Sequence, residues 1–152
     1  MPVIIKDGRF IEDPFVDAGG AFVALDQYSA AVHDREAALT GIDVPADTNP
    51  QALAGLMNSV AAIRIAFPSF ADGRGFSIAQ KLRRMGFNGL IRAKGHVLAD
   101  QYPLAIRSGF DEVEIPNEQA GRMPQSQWRE ALERTENNYL DRLKRKVAWW
   151  AT

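Results

Sequence analysis

The sequence predicts an α/β fold, a βα repeat carried on a mostly parallel sheet. Three observations point to it. Short apolar runs rich in β-branched residues recur, most clearly Val60-Ala61-Ala62-Ile63-Arg64-Ile65-Ala66-Phe67. Loops and helix-period stretches follow them at short spacing. Glycines then close the stretches, at Gly41, Gly86 and Gly109. About five such units fit between residues 20 and 116, and a flavodoxin-like sheet and a partial βα barrel satisfy the pattern equally well.

The elements follow in order. Val3-Ile4-Ile5 and Phe10-Ile11 flank Asp7-Gly8, a strong hairpin signal, so residues 1–15 read as an N-terminal β-hairpin ended by Pro14. Gly19-Gly20 introduce Ala21 to Leu25, a buried strand by its apolar run. Helical periodicity runs from Tyr28 to Leu39, with Gly41 as its C-cap. Ile42-Asp43-Val44 is a short strand stopped by Pro45. Asn49 caps a short helix from Pro50 to Met57. The strand ending at Phe67 leads through Pro68-Ser69-Phe70-Ala71-Asp72-Gly73-Arg74-Gly75 into a helix from Phe76 to Met85. Gly89 to Lys94 is a strand, Leu98 to Ser108 a helix and Asp111 to Ile115 a strand. Residues 124–150 form a long C-terminal helix with Trp128, Leu132, Tyr139, Leu143, Val147 and Trp150 near one stripe. That stripe either packs on the domain or serves a homodimer or partner surface. The whole chain, 1–152, reads as a single domain.

Composition narrows the function. The formal net charge is -1, so no whole-molecule field draws in nucleic acid or anionic membrane. No apolar run spans a bilayer and the N-terminus lacks a signal peptide, so a cytoplasmic location is expected. The absence of cysteine excludes a thiolate nucleophile, a CxxC redox pair and cysteine-held clusters or zinc. No metal site is expected from two histidines, His33 and His96, so far apart. A redox role therefore needs a borrowed cofactor, whose identity the residues leave open, or a partner protein.

Two stretches carry candidate chemistry. Asp72-Gly73-Arg74-Gly75 leaves a strand end and enters a helix, the edge where α/β folds bind ligands. Gly73 and Gly75 allow close backbone approach, and Arg74 offers a charged fork for an oxyanion. Asp72 orients Arg74 or acts as a base; alternatively it only caps the helix. The match to G-x-G-x-x-G is poor, because Ile78 occupies the third small position. In the second stretch, strand alternation puts Arg92 and Lys94 on one face, placed to meet an anion. His96 follows as a candidate acid–base group, with Asp100 one turn further on to hold its ring.

The same residues carry a resemblance. Phe67-Pro68-x-Phe70-x-Asp72-Gly73-Arg74-Gly75-Phe76-Ser77, Leu82-Arg83 and Gly86-Phe87-x-Gly89 resemble the bacterial domain-of-unknown-function family 934. So do Arg92-Ala93-x-Gly95, Asp100-Gln101, Arg107-x-Gly109-Phe110-Asp111 and the N-terminal Ile5-Lys6-Asp7-Gly8. His96 stands where members more often carry an acidic or amide residue, and Ala99 where Arg is usual. The resemblance implies an association with assimilatory sulfite reduction, members being labelled probable oxidoreductases, and supplies no catalytic residues. The expectation is an accessory protein that binds a small anion such as sulfite, or an anionic cofactor edge. The alternative is a non-catalytic protein docking on sulfite reductase or another reductase, or on itself, through the C-terminal helix.

Overall fold

The computed structural model describes residues 2–28 and 39–134. The helix expected over 28–39 and the C-terminal stripe beyond residue 134 lie outside them. Among the described residues, seven strands form one sheet: β1 (Val3–Lys6), β2 (Arg9–Ile11), β3 (Ala21–Ala24), β4 (Thr40–Val44), β5 (Ala62–Phe67), β6 (Leu90–Gly95) and β7 (Glu112–Ile115). Their order is β2-β1-β7-β6-β5-β4-β3. The five strands β3 to β7 are mutually parallel and lie in chain order, while the hairpin β1–β2 is antiparallel and joins at β7.

Sequential order decides between the two architectures. A flavodoxin-like sheet reverses its winding at a switch point. Here the winding never reverses, as in a partial βα barrel. Right-handed crossovers in one direction place the helices on one face. Accordingly α2 (Arg74–Arg84) packs against β5 and against α3 (Tyr102–Ser108). Strand alternation sends Ile63, Ile65 and Phe67 of β5, Ile91 and Ala93 of β6, and Val113 and Ile115 of β7 to that face. They meet Phe76, Ala79 and Leu82 of α2 and Tyr102 and Ala105 of α3, forming the main core.

The sheet is curled. Residues 13–20 wind into a helical turn, α1 (Pro14–Asp17), closed by Gly20 N–H to Phe15 O (2.8 Å) and Gly19 N–H to Val16 O (2.9 Å). Such a connection from Ile11 to Ala21 reaches about 20 Å, at about 1.5 Å per helical and 3.4 Å per extended residue. It joins the two opposite edge strands, which a flat seven-stranded sheet would hold about 29 Å apart, at about 4.8 Å per spacing. The edges must therefore approach each other around a concave second face.

Several sequence expectations hold. Asp7 and Gly8 have φ of 52° and 75°, the paired positive values of a two-residue hairpin turn. Gly86 and Gly109, with φ of 97° and 111°, close α2 and α3. Each leaves the next residue's N–H bonded five residues back, Phe87 to Leu82 and Phe110 to Ala105, at 3.0 Å. The Asn49 side chain caps its segment through Gln51 N–H.

Other expectations need correction. Gly41 is not a C-cap: it lies inside β4, where a Cβ would fall 2.6 Å from the Phe22 ring. That aromatic neighbour on β3 is invisible to local pattern. β3 is a partly exposed edge strand, not a buried one. The segment after Asn49 is one 3-10 turn, Pro50–Leu53, followed by turns. α2 begins two residues earlier than Phe76, because the Asp72 side chain accepts the Arg74 N–H. The Leu98–Ser108 helix opens as a 3-10 turn, Ala99–Gln101, before α3. Two short helices, α1 and α4 (Asn117–Arg122), lacked any periodic signal.

Residues 125–134 form the described start of the C-terminal helix. Trp128 is fully buried, stands edge-on to Tyr102 at 5.4 Å and donates its indole N–H to Met123 O. The Tyr102 hydroxyl accepts the Gly8 N–H and Gln125 accepts the Phe10 N–H, so this helix is tied to the hairpin. Among the described residues no helix is long and apolar enough to cross a membrane. Trp128→Ala should lower stability by about 3–5 kcal/mol, read as a fall in the urea midpoint.

Candidate functional site

The concave face is charged. In the register of the parallel strands, Asp43 of β4, Arg64 of β5, Arg92 of β6 and Glu112 of β7 stand in one row. One step towards the C-terminal edge, Ala66, Lys94 and Glu114 form the next. Parallel sheets are ordinarily apolar on both faces, so this row requires its own partners.

Arg92 is completely buried, and its five N–H groups are all engaged. Nε and Nη2 donate to Glu112 Oε2 at 3.0 and 2.8 Å. Nη1 and Nη2 donate to the two Asp13 oxygens, both at 2.8 Å, and Nη1 also meets Glu114 Oε1 at 3.1 Å. Burial opposes the charge on Arg92, but these bonds and the Asp13 and Glu112 charges raise its pKa above the usual value. Arg64 grips Asp43 with Nε and Nη2 and reaches Glu114 with Nη1 at 3.2 Å. The Phe22 ring covers both guanidiniums, 4.0 Å from Arg64 and 5.3 Å from Arg92.

Above Arg64, at the C-terminal ends of β3 to β6, opens a cavity of about 820 Å³. Arg64 and Asp43 are among its lining residues. Leu25, Val44, Pro45, Ala66, Phe67 and Pro68 supply apolar wall, and Lys94 and Asp26 are its remaining charged groups among the described residues. Lys94 is half-exposed, its ammonium 4.0 Å from Glu114. Gly95 makes this edge possible. Its φ is 122°, and a Cβ there would lie 2.5 Å from Phe67 O, which accepts the His96 N–H at 2.9 Å.

The sequence-derived candidates do not gather in this one place. Lys94 lines the large cavity. Arg92 lies beneath the surface with no free donor, so the face predicted to meet an anion is occupied by the protein's own carboxylates. Arg74 is exposed and closes a bidentate pair on Asp72 through Nε (2.9 Å) and Nη2 (2.7 Å), which holds the Asp72 carboxyl below its usual range. Gly73 borders a separate cavity, beside Phe76 and Arg107. Gly75 is buried against the Phe67 ring, which a Cβ would strike at 2.5 Å. His96 stands edge-on to Phe70 at 5.0 Å and lines a third, smaller cavity of about 320 Å³. Asp100 faces Arg134 at 3.7 Å instead of holding the His96 ring.

Much of the quoted motif is scaffolding at the opposite sheet edge. Arg83 donates to Gly109 O, Phe87 O and Gly89 O at 2.8–3.0 Å and pairs with Asp111, satisfying carbonyls where the two βα units turn. At the cavity's own edge, Gln101 accepts the Leu98 N–H and donates to Phe70 O, fixing the loop after β5. Asp13, Asp43, Arg64, Glu112 and Glu114 went unnoticed in the sequence. For the four on strands the signal is the alternation of charge with apolar residues, the acidic strands β4 and β7 flanking the basic strands β5 and β6; Asp13 lies outside the strands.

Asp13 also accepts the Phe15 and Val16 N–H groups, so one carboxylate caps α1 and holds Arg92. The Arg92 hydrogen bonds, helped by those backbone bonds, place its pKa below the usual carboxylate value. A depressed carboxyl stabilises the fold above its unfolded pKa of about 3.9 and loses that contribution as pH falls through the folded value. The urea midpoint should therefore drop below about pH 4, and Asp13→Asn should show a lower midpoint at neutral pH with a shallower acid fall. Arg92→Met, which strands buried Glu112 and Glu114, should cost about 3–5 kcal/mol.

Residues 41–150 match the family described as bacterial protein of unknown function (DUF934). That span holds Arg64, Arg92, Lys94 and the Arg83 clamp, and leaves Asp13, Phe22 and Asp26 outside it. Neither a curated protein nor a solved structure matches the chain. A match over well more than half of its length makes this chain a member of the DUF934 family of bacterial proteins.

Proposed function

We propose that the protein binds a small organic anion, or the anionic edge of a cofactor, in the cavity at the C-terminal ends of β3 to β6. The observation that carries the reading is the placing of Lys94. It is a half-exposed ammonium on the wall of an otherwise largely apolar cavity, at the edge where parallel βα folds bind ligands. Arg64 and Arg92 are consumed by internal pairs, which leaves Lys94, among the described residues, as the cation in reach of a ligand there. A cavity of about 820 Å³ is far larger than sulfite, so a sulfite-sized ion would fill a corner of it only. An organic body carrying an oxyanion suits the apolar wall better.

The sulfur-metabolism setting rests on the family resemblance. In that setting the chain acts as an accessory to a reductase, since without cysteine it leaves electron transfer to a bound cofactor or to the partner. The Asp72-Gly73-Arg74-Gly75 loop rises from the same edge, with Arg74 exposed, and is the competing location for the anion.

A thermal-shift series with sulfite, phosphate, hexanoate, nicotinamide dinucleotides and flavins tests the reading. A ligand at a hundredfold excess over its Kd stabilises by about 2.7 kcal/mol. The shift should vanish in Lys94→Met and survive in Arg74→Ala. The reverse pattern moves the site to the loop, and no shift from any probe removes the anion reading.

A further inference from the structure

We infer that the cavity is built for a dipolar ligand, with an anionic group towards Lys94 and a cationic group towards Asp26. This rests on the cavity reading above and narrows it to a substrate class. The charges are sorted by side. Asp26, just beyond β3, and Asp43 on β4 occupy one wall, and Lys94 on β6 occupies the other. β4 and β6 are two strand spacings apart, about 10 Å. Between them lie the Ala66 side chain and the strand ends at Val44 and Phe67, and Leu25, Pro45 and Pro68 complete a largely apolar wall suited to an aliphatic spacer.

Arg64 does not cancel this polarity. Its guanidinium serves two carboxylates, Asp43 and Glu114, under the Phe22 ring. Among the described residues the concave face sets Arg64, Arg92 and Lys94 against Asp13, Asp43, Glu112 and Glu114, an excess of one negative charge. Asp26 adds a second, exposed at the mouth. A simple anion reaches Lys94 against that field. A ligand that also carries an ammonium meets Asp26 with it and enters with no net charge.

Three probes of one carbon skeleton isolate the point: hexanoate, hexylammonium and 6-aminohexanoate, titrated calorimetrically into the full chain. The dipolar probe should bind about tenfold or more tighter than hexanoate. Asp26→Asn, on an exposed single turn, should bring the two to about equal affinity, chiefly by weakening 6-aminohexanoate, and Lys94→Met should weaken both carboxylates. Equal binding of hexanoate and 6-aminohexanoate to the unaltered protein would overturn the dipolar inference and leave the anion site standing. Tightest binding by hexylammonium would overturn both. Binding by none of the three would remove the cavity itself as the ligand site.

Discussion

Everything on the concave face is arranged around one guanidinium. Arg92 sits in the middle of a parallel sheet, without exposure to solvent, and hands each of its donors to a carboxylate. A buried ion cluster of this kind is not a cheap source of stability, since apolar residues of the same volume would often do as well. What it supplies is geometry. A planar fork accepts its partners only from fixed directions, so Asp13, Glu112 and Glu114 must arrive from the α1 turn and from β7 in one relative position. The curl of the sheet, the entry of α1 across the concave face and the seating of β7 beside β6 all satisfy that demand together.

The same arrangement sorts the chain's cations by what they can still do. Arg64 and Arg92 are spent inside the protein, Arg83 stitches the opposite edge, and Arg74 is closed on Asp72. Lys94 stands one register step above the buried row, with a longer reach and a single distant carboxylate. A compact ammonium on a flexible stem suits that position, whereas a guanidinium would be drawn into the network. Thus the inert part of the face and its ligand-facing part differ by one strand step and by the choice of Lys over Arg.

The architecture was largely legible in the sequence because βα units announce themselves locally. Val60–Phe67 alternates, Gly86 and Gly109 terminate, and Asp7-Gly8 turns. What was not legible is what depends on partners remote in sequence. Gly41 looked like a helix end because the Phe22 ring that fills its missing side chain comes from another strand. Strand alternation places Arg92 on one face with Lys94, but no local pattern reveals whether a charge on a strand faces water, a ligand or another charge. Only strand order distinguishes these, by bringing Asp13 and Glu112 to Arg92 from 79 and 20 residues away.

That separation bears on how the chain acquires its structure. β3 to β7 can be laid down one after another, each beside the strand that precedes it, with only local loops to close. The hairpin β1–β2 is the exception. It is made before β3 to β7, yet its place is against β7, pairing Val3 with Ile115. Closing so long a loop costs entropy before any contact rewards it. A growing chain therefore carries this hairpin undocked until β7 is made, and Arg92 waits without its full set of counter-charges for both ends of the sheet to meet.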